Sequence, residues 1–232
     1  MLPRSCRCAS RLPAFSVTDG TVYLFDVDNT LLDNDAVAAD LRRHLTEQFG
    51  AERQQRYWEE FELLRTQLGY ADYLGALQRF RIAYPHDTHM LEMSDWLIDY
   101  PFAERLYPGA LALVERLRER GRPVILSDGD VVFQPRKIKR SGLWDAFRGD
   151  VLVYIHKEQE LDDVERRYPA ESYVLVDDKL RVLAAVKDAW GDRVTTVFPR
   201  QGHYAHDAAL VARYPAADVT VERIADLLDV NV

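Results

Sequence analysis

Short apolar runs alternate along the chain with longer stretches in which apolar residues recur at helical spacing. Each run is too short, and too rich in β-branched or aromatic residues, to form a helix, so we predict a buried strand at each one. The predicted strands are Val22–Phe25, Val124–Leu126, Val151–Ile155, Tyr173–Val176 and Val194–Phe198. Strands that alternate with helices are typical of a parallel sheet with crossover helices. The pattern therefore predicts an α/β fold.

A long insertion separates the first two predicted strands. The gap is about 100 residues, whereas a crossover connection needs only about a dozen or more. The insertion contains no strand-like run, and residues such as Val37, Leu41 and Leu45 show helical spacing. We therefore predict an all-helical insertion, called the cap below. The predicted units are an N-terminal tail at 1–20, a core at 21–33 and 105–232, and the cap at 34–104.

Composition and charge narrow the range of functions. With 47% hydrophobic and 29% charged residues, the 232-residue chain has the composition of a globular protein rather than a disordered one. The formal net charge of −8 disfavours a nucleic-acid partner, because binding to a phosphate polymer depends on Lys and Arg. The only cysteines, Cys6 and Cys8, are too few for a disulfide framework or a four-ligand zinc site.

The N-terminal segment and the hydropathy pattern bear on location. Arg4, Arg7 and Arg11 are typical of an organelle transit peptide, but Pro3 and Pro13 interrupt the amphipathic helix that such a peptide forms. We interpret the segment as a tail outside the core. No apolar segment precedes a signal-peptide cleavage site, and no run of 18 apolar residues occurs. We expect no membrane span and a cytoplasmic location, and the sequence leaves the oligomeric state open.

Two carboxylates follow the first predicted strand. Asp26 and Asp28 are separated by one residue, and side chains alternate along a strand, so both acids should point into the same small volume. Open parallel sheets bind ligands at the carboxyl ends of their strands. An Asp-x-Asp pair alone is weak evidence, because it also occurs in turns and in metal-dependent glycosyltransferases. The ends of the later strands decide its meaning.

Polar residues also follow the next three predicted strands. Ser127 and Gly129 lie after the second strand, Lys157 after the third, and the pair Asp177-Asp178 after the fourth. Carboxylates are the hard oxygen ligands that Mg²⁺ prefers, and a hydroxyl with a lysine suits a phosphate group. Because parallel strands end at one edge of the sheet, the combination predicts a site for Mg²⁺ and phosphate.

These motifs resemble those of the haloacid dehalogenase superfamily of hydrolases, which has Asp-x-Asp-x-Thr, then Ser or Thr, then Lys, then an acidic pair. The resemblance extends from Val22 to about Phe198 and covers most of the chain. It implies a Rossmann-like core with a helical cap of the superfamily's first type. Two positions depart from the pattern, since Glu158 replaces the usual Pro after Lys157 and Lys179 replaces the usual Gly or Ser after the acidic pair.

The resemblance implies a Mg²⁺-dependent phosphohydrolase that acts on a small-molecule phosphate ester. Asp26 would attack phosphorus and form an aspartyl-phosphate, while Asp28 would act as general acid and then general base. The implied metal ligands are Asp26, the backbone carbonyl of Asp28, Asp178, and Asp177 either directly or through water. The implied phosphate-binding residues are Ser127, Asp128, Gly129 and Lys157.

Other readings stay open at the level of sequence. A 2-haloacid dehalogenase would use an aspartate to attack carbon without metal, and Asp28 argues against it because that reaction needs no second carboxylate. A phosphomutase of the same fold and a non-catalytic phosphate-binding or signalling protein are further alternatives. A receiver-type signalling module also combines acids, lysine and Mg²⁺, but it lacks a large helical insertion.

Three further groups of residues receive interpretations. We interpret the basic stretch as a solvated helix face. We interpret the aromatic residues of the cap as cap core, with a pocket lining as the alternative. His203 and His206 could bind metal or substrate, but two ligands do not define a site. The basic stretch comprises Arg136, Lys137, Lys139 and Arg140; the cap aromatics are Tyr70, Tyr73, Trp96 and Phe102. The two connections of the cap, Asp33 to Asp35 and Arg105 to Pro108, are predicted hinges.

Overall fold

The core of the protein is a single sheet of six parallel strands in the order β3-β2-β1-β4-β5-β6. The computed structural model describes residues 20–230. Both cysteines and the predicted tail, except for its last residue Gly20, therefore lie outside the described residues. The strands are β1 (Thr21–Phe25), β2 (Gly121–Asp128), β3 (Val151–Tyr154), β4 (Ser172–Val176), β5 (Val194–Pro199) and β6 (Val219–Val221). The predicted α/β class and the parallel sheet are confirmed.

All the predicted strands are present, and β6 is the one strand in residues 20–230 that the sequence pattern did not reveal. It is three residues long and pairs only with β5 at the edge of the sheet. Along β6, Val219 is half-buried, Thr220 is exposed and Val221 is buried. Such a short edge strand has too little apolar alternation to be recognised from the sequence.

Helices surround the sheet, and four of them form the insertion between β1 and β2. The helices are α1 (Asn34–Phe49), α2 (Ala51–Leu68), α3 (Tyr73–Ala83), α4 (His89–Asp99), α5 (Ala110–Arg118), α6 (Phe133–Arg140), α7 (Leu143–Ala146), α8 (Leu161–Arg167), α9 (Leu180–Trp190), α10 (Gly202–His206) and α11 (Ala208–Val211). Short 3-10 helices lie at Phe102–Arg105, Lys157–Gln159, Gly191–Arg193 and Ile224–Leu228. The all-helical insertion is confirmed, whereas the domain bounds at 34 and 104 stay a prediction.

The first helix of the cap shows why the sequence adopts this structure. The carboxylate of Asp33 accepts a hydrogen bond from the Ala36 N–H at 2.9 Å, which satisfies one of the free donors at the start of α1. Val37, Leu41 and Leu45 then recur at helical spacing and are fully buried. The capped start and the apolar stripe fix the helix and the face that it buries.

Alternation along β1 divides the core into two hydrophobic clusters, one on each face of the sheet. Tyr23 and Phe25 belong to one cluster, which is continuous with the buried face of the cap. Val22 and Leu24 belong to the other, under α8 and α9. Successive side chains of a strand point to opposite faces, so a single apolar run supplies both clusters. Because both faces are covered, the site is confined to the edge where the strands end.

The two connections between core and cap run side by side. The Asp33 N–H donates to the Arg105 carbonyl at 2.8 Å, and the Tyr107 N–H donates to the Leu31 carbonyl at 2.9 Å. Leu32 and Leu106 form an antiparallel bridge between them. Both predicted hinges are therefore adjacent to each other and to the end of β1, and their movement stays a prediction.

Candidate active site

The register of the sheet brings the predicted site residues to one edge. Phe25, the last residue of β1, lies opposite Ile125 of β2 and Val176 of β4. Asp26 is the next residue after β1. By this register it lies opposite Asp177 on the β4 side and close to Ser127 on the β2 side. The parallel arrangement makes this inevitable, since all three strands run in the same direction.

Three acids form a buried cluster at this edge. Asp26, Asp177 and Asp178 are at most 2% exposed, and one carboxylate oxygen from each lies within 4.8 Å of the others. Burial raises the pKa of Asp178 well above its ordinary value, and the neighbouring acids raise it further, although Lys179 opposes them. Burial also raises the pKa of Asp177. Three carboxylates that are buried this close together require compensating positive charge, because burial and mutual repulsion both oppose their ionisation.

Lys157 supplies part of that charge. Its ammonium group is fully buried and lies 2.5 Å from Asp26 Oδ1 and 2.6 Å from Asp177 Oδ2, and it also donates to the Leu126 carbonyl at 3.2 Å. Burial by itself would lower the pKa of Lys157, but Asp177 and Asp26 outweigh burial and raise it. Lys157 is therefore charged at neutral pH and links the ends of β1 and β4.

The cluster fits a divalent cation. Neither carboxylate oxygen of Asp178 has a hydrogen-bond partner among residues 20–230, and Asp26 Oδ2 also lacks one. Buried carboxylate oxygens are costly without a partner, and Mg²⁺ is bound through such hard oxygen ligands. The residues that would hold the ion are Asp26, Asp177 and Asp178. The Asp178 N–H donates to Thr30 Oγ1 at 3.1 Å, which places the acidic pair against the first motif.

Asp28 lies beside this cluster and is held by two residues of α6. Lys137 Nζ donates to Asp28 Oδ1 at 2.6 Å, and Gln134 Nε2 approaches Asp28 Oδ2 at 3.4 Å. Lys137 is only 1% exposed and also donates to Asn34 Oδ1 at 2.9 Å, at the start of the cap. The prediction of a solvated basic face holds for the exposed Arg136, Lys139 and Arg140 and is wrong for Lys137. The ion pair with Asp28 stabilises the buried ammonium group of Lys137, which the sequence pattern had predicted to be in solvent.

Gln134 connects Asp28 to Ser127. Its amide nitrogen donates to Ser127 Oγ at 2.9 Å, and both side chains are buried. A Cβ on Gly129, which has φ of 155°, would lie 2.8 Å from the Gln134 Cβ. The absence of a side chain at Gly129 therefore allows α6 to approach the end of β2. No pattern in the sequence indicated the role of Gln134.

The other residues predicted to bind phosphate already have partners in the protein. Asp128 Oδ1 accepts a hydrogen bond from the Lys157 N–H at 2.8 Å, and the Gly129 N–H donates to the Tyr154 carbonyl at 3.0 Å. Burial raises the pKa of Asp128. Asp128 therefore positions the Lys157 backbone, and direct contact of Asp128 and Gly129 with substrate stays a prediction.

A cavity of about 390 Å³ opens from the acidic cluster towards the cap. Asp28 and Asp178 line its inner end, and Trp58, Phe61 and Tyr73 form an aromatic wall on the cap side. Of the four cap aromatics considered above, only Tyr73 lines this cavity, and Phe102 is fully buried in the core cluster. The cavity has the size and the mixed lining of a small-molecule site.

His203 contacts an acid rather than a metal cluster. Its backbone N–H donates to Asp35 Oδ2 at 2.7 Å, and its Nδ1 lies 2.6 Å from Asp35 Oδ1. Asn29 Nδ2 donates to the same carboxylate at 3.1 Å, so the first motif, α10 and the cap connection are joined. His206 is exposed, and within residues 20–230 neither histidine belongs to a group able to hold a metal ion.

A parallel Rossmann-like sheet, a helical insertion after the first strand and acids at adjacent strand ends define a class of α/β hydrolases. The sequence profile of haloacid dehalogenase-like hydrolases matches residues 21–189, and the chain belongs to this family. No curated protein matches the chain.

Solved structures share the fold, and one of them is also similar in sequence. A haloacid dehalogenase-like hydrolase from Burkholderia xenovorans LB400 is 66% identical, with a TM-score of 0.87, over 91% of this chain and 99% of that chain. A magnesium-bound hydrolase of the family from Bacillus subtilis is 16% identical, with a TM-score of 0.59, over 90% and 97%. An L-2-haloacid dehalogenase from Xanthobacter autotrophicus with covalently bound chloropropionic acid is 20% identical, with a TM-score of 0.59, over 89% and 96%.

Within residues 20–230 no helix is both long and apolar enough to cross a bilayer.

Proposed function

We propose that the protein is a Mg²⁺-dependent phosphate monoester hydrolase that acts through an aspartyl-phosphate on Asp26. The observation that carries the proposal is the buried cluster of Asp26, Asp177 and Asp178, in which neither oxygen of Asp178 has a hydrogen-bond partner within the described residues 20–230. A cation at this position would satisfy these oxygens and neutralise the charge that a phosphoryl group brings. The related hydrolase from Bacillus subtilis was solved with magnesium, which is consistent with this reading.

Asp26 is suited to act as the nucleophile. Lys157 holds Asp26 Oδ1 at 2.5 Å, while Oδ2 has no hydrogen-bond partner among residues 20–230. The contact with Lys157 fixes the orientation of this carboxylate, and a nucleophile held in a defined direction is favoured for attack on phosphorus. Lys157 would also hydrogen-bond the phosphoryl oxygens as charge develops on them.

Asp28 is suited to transfer the proton. It lies two residues after the nucleophile and is partly exposed to the cavity, with its side chain 24% accessible. In the first step it would protonate the leaving oxygen, and in the second it would take a proton from the hydrolytic water. Lys137 and Gln134 would orient its carboxylate, since each contacts one of its oxygens.

A dehalogenase is the main alternative, and a phosphomutase is another. Neither is favoured by an observation of its own, because the likeness to dehalogenase structures at about 20% identity concerns the fold. A dehalogenase would need neither Asp28 as an acid nor a cation beside Asp178. The cap sets access to the site in all three cases.

The test is phosphate release from a panel of phosphate monoesters in Mg²⁺ and in excess chelator, with halide release from 2-chloropropionate as the parallel assay. We expect phosphate release that requires Mg²⁺ and no halide release. Asp26→Asn, which nearly preserves the shape of the side chain, is the matched control for contaminating phosphatase. Halide release without metal would replace the proposal with the dehalogenase reading.

A further inference from the structure

The charges that line the cavity are unevenly balanced. Three acids in its wall are paired with basic side chains, as Asp28–Lys137, Asp35–His203 and Glu62–Arg65. Asp178 belongs to the proposed metal cluster. Two cations in the wall, Lys179 and Arg42, form no salt bridge with a carboxylate of residues 20–230. These two cations are therefore available to a ligand.

Lys179 lies beside the acidic cluster, where the phosphoryl group of the proposed substrate would bind. Lys179 follows Asp178 directly, and its ammonium lies 5.5 Å from the Tyr204 ring centroid rather than on an acid. The cluster there holds three carboxylates, the ammonium groups of Lys157 and Lys179, and the proposed divalent cation. These groups leave one positive charge, which a phosphoryl dianion more than neutralises. No cation at this end remains for a second anionic group.

Arg42 lines the cavity from α1, about two helical turns beyond Asn34, which lies at the start of that helix. It belongs to α1 of the cap, its side chain is exposed, and its guanidinium lies 3.9 Å from the centroid of the Trp58 ring. Stacking on an indole fixes the plane of a guanidinium and leaves its N–H edge free. That edge matches the two oxygens of a carboxylate or a phosphate.

Three aromatic side chains of the cap supply an apolar part of the wall. Trp58, Phe61 and Tyr73 are 7%, 5% and 3% exposed, so their faces are fixed by packing within the cap. The cavity volume of about 390 Å³ is near the lower limit of roughly 300–1,000 Å³ for small-molecule pockets. A cavity of this size suits a substrate with a short carbon skeleton.

We propose that the substrate is a small phosphate monoester with a second anionic group, and that Arg42 binds this group on the cap side of the cavity. This inference rests on the proposed phosphohydrolase function and deepens it. The shared chemistry is an oxyanion on a short skeleton, either a carboxylate or a second phosphate. Arg42 is thereby a specificity-determining residue, distinct from the residues that act on phosphorus.

The test compares pairs of substrates that differ in the second anion. The pair 3-phosphoglycerate and glycerol 3-phosphate differs by a carboxylate, and the pair fructose 1,6-bisphosphate and fructose 6-phosphate differs by a phosphate. We expect kcat/KM to be at least about tenfold higher for the anionic member of one pair, as one charge-assisted contact provides. The pair that shows the preference identifies the second group.

Arg42→Gln should reduce this preference to near unity, mainly by raising KM for the anionic member. Arg43→Gln is the matched control, because Arg43 is the next residue of α1 and pairs with Asp40 instead of lining the cavity. Thermal unfolding of both variants checks that the cap is intact. Equal kcat/KM within both pairs for the wild type, or a preference that survives in Arg42→Gln, would overturn the inference while the phosphohydrolase function stands. Absence of Mg²⁺-dependent hydrolysis of every ester would instead overturn the function and this inference with it.

Discussion

Replacing Lys137 with methionine tests how the proposed general acid is positioned. Lys137→Met removes the ammonium 2.6 Å from Asp28 Oδ1 and leaves an unbranched side chain of similar length in a position that is 1% exposed. A hydrogen bond to a charged group contributes about 1.5–3 kcal/mol. At about 1.36 kcal/mol for each tenfold change, the step that needs an oriented Asp28 should slow by roughly 10- to 150-fold.

The informative assay is a series of phosphate monoesters with leaving groups of decreasing acidity, from nitrophenyl to alkyl. A good leaving group departs without a proton, so the loss in Lys137→Met should be small for nitrophenyl phosphate and should approach its full size for alkyl phosphates. Asp28→Asn should show the same dependence with larger losses. The double variant should lose little more than Asp28→Asn alone, since both changes act on one proton transfer.

Controls separate positioning from a general effect on folding. Lys139→Met alters an exposed lysine of the same helix, whose ammonium lies over the Trp144 ring, and should leave the leaving-group dependence unchanged. Lys137→Arg should restore part of the rate for alkyl phosphates. An equal loss for every leaving group, or none, would refute the assignment of Lys137 to Asp28.

Three further predictions concern the nucleophile, the buried lysine and the cap connection. Asp26→Asn should fold normally, as circular dichroism would show, and release phosphate only at the background rate; substantial release would remove Asp26 from the mechanism. Lys157→Met leaves buried acids uncompensated and should lower the free energy of unfolding by about 3–5 kcal/mol in chelator. Scanning calorimetry should show this as a fall in Tm of about 6–20 °C, part of which Mg²⁺ should restore. A fall in Tm below about 2 °C would contradict the buried ion pair. Burial opposes ionisation of Asp40, but hydrogen bonds from Tyr100 and Arg105 outweigh burial and hold its pKa below its ordinary value. The stability from this contact should therefore be complete above about pH 4 and lost as pH falls through the folded-state pKa, so denaturant unfolding of Asp40→Asn should depend less on pH there than that of the wild type.

Local patterns in the sequence determined the framework of this protein. The apolar runs that become β1 to β5 are each short, β-branched or aromatic, and bounded by polar residues, and these are local properties that hold whatever the runs pack against. The helical insertion was equally visible, because the stripe of Val37, Leu41 and Leu45 needs only the period of a helix. Once parallel strands are assumed, the residues that follow them must meet at one edge.

The tertiary structure alone decided the surroundings of the site. Lys137 lies on α6 between exposed basic residues, and its burial depends on Asp28, which is 109 positions away in the sequence. The pairing of His203 with Asp35 spans 168 positions and is equally invisible to any local pattern. Hydrophobic periodicity predicts burial from the apolar character of a side chain. A charged residue that is buried because a distant partner compensates its charge has no such signal, so only the folded chain reveals it.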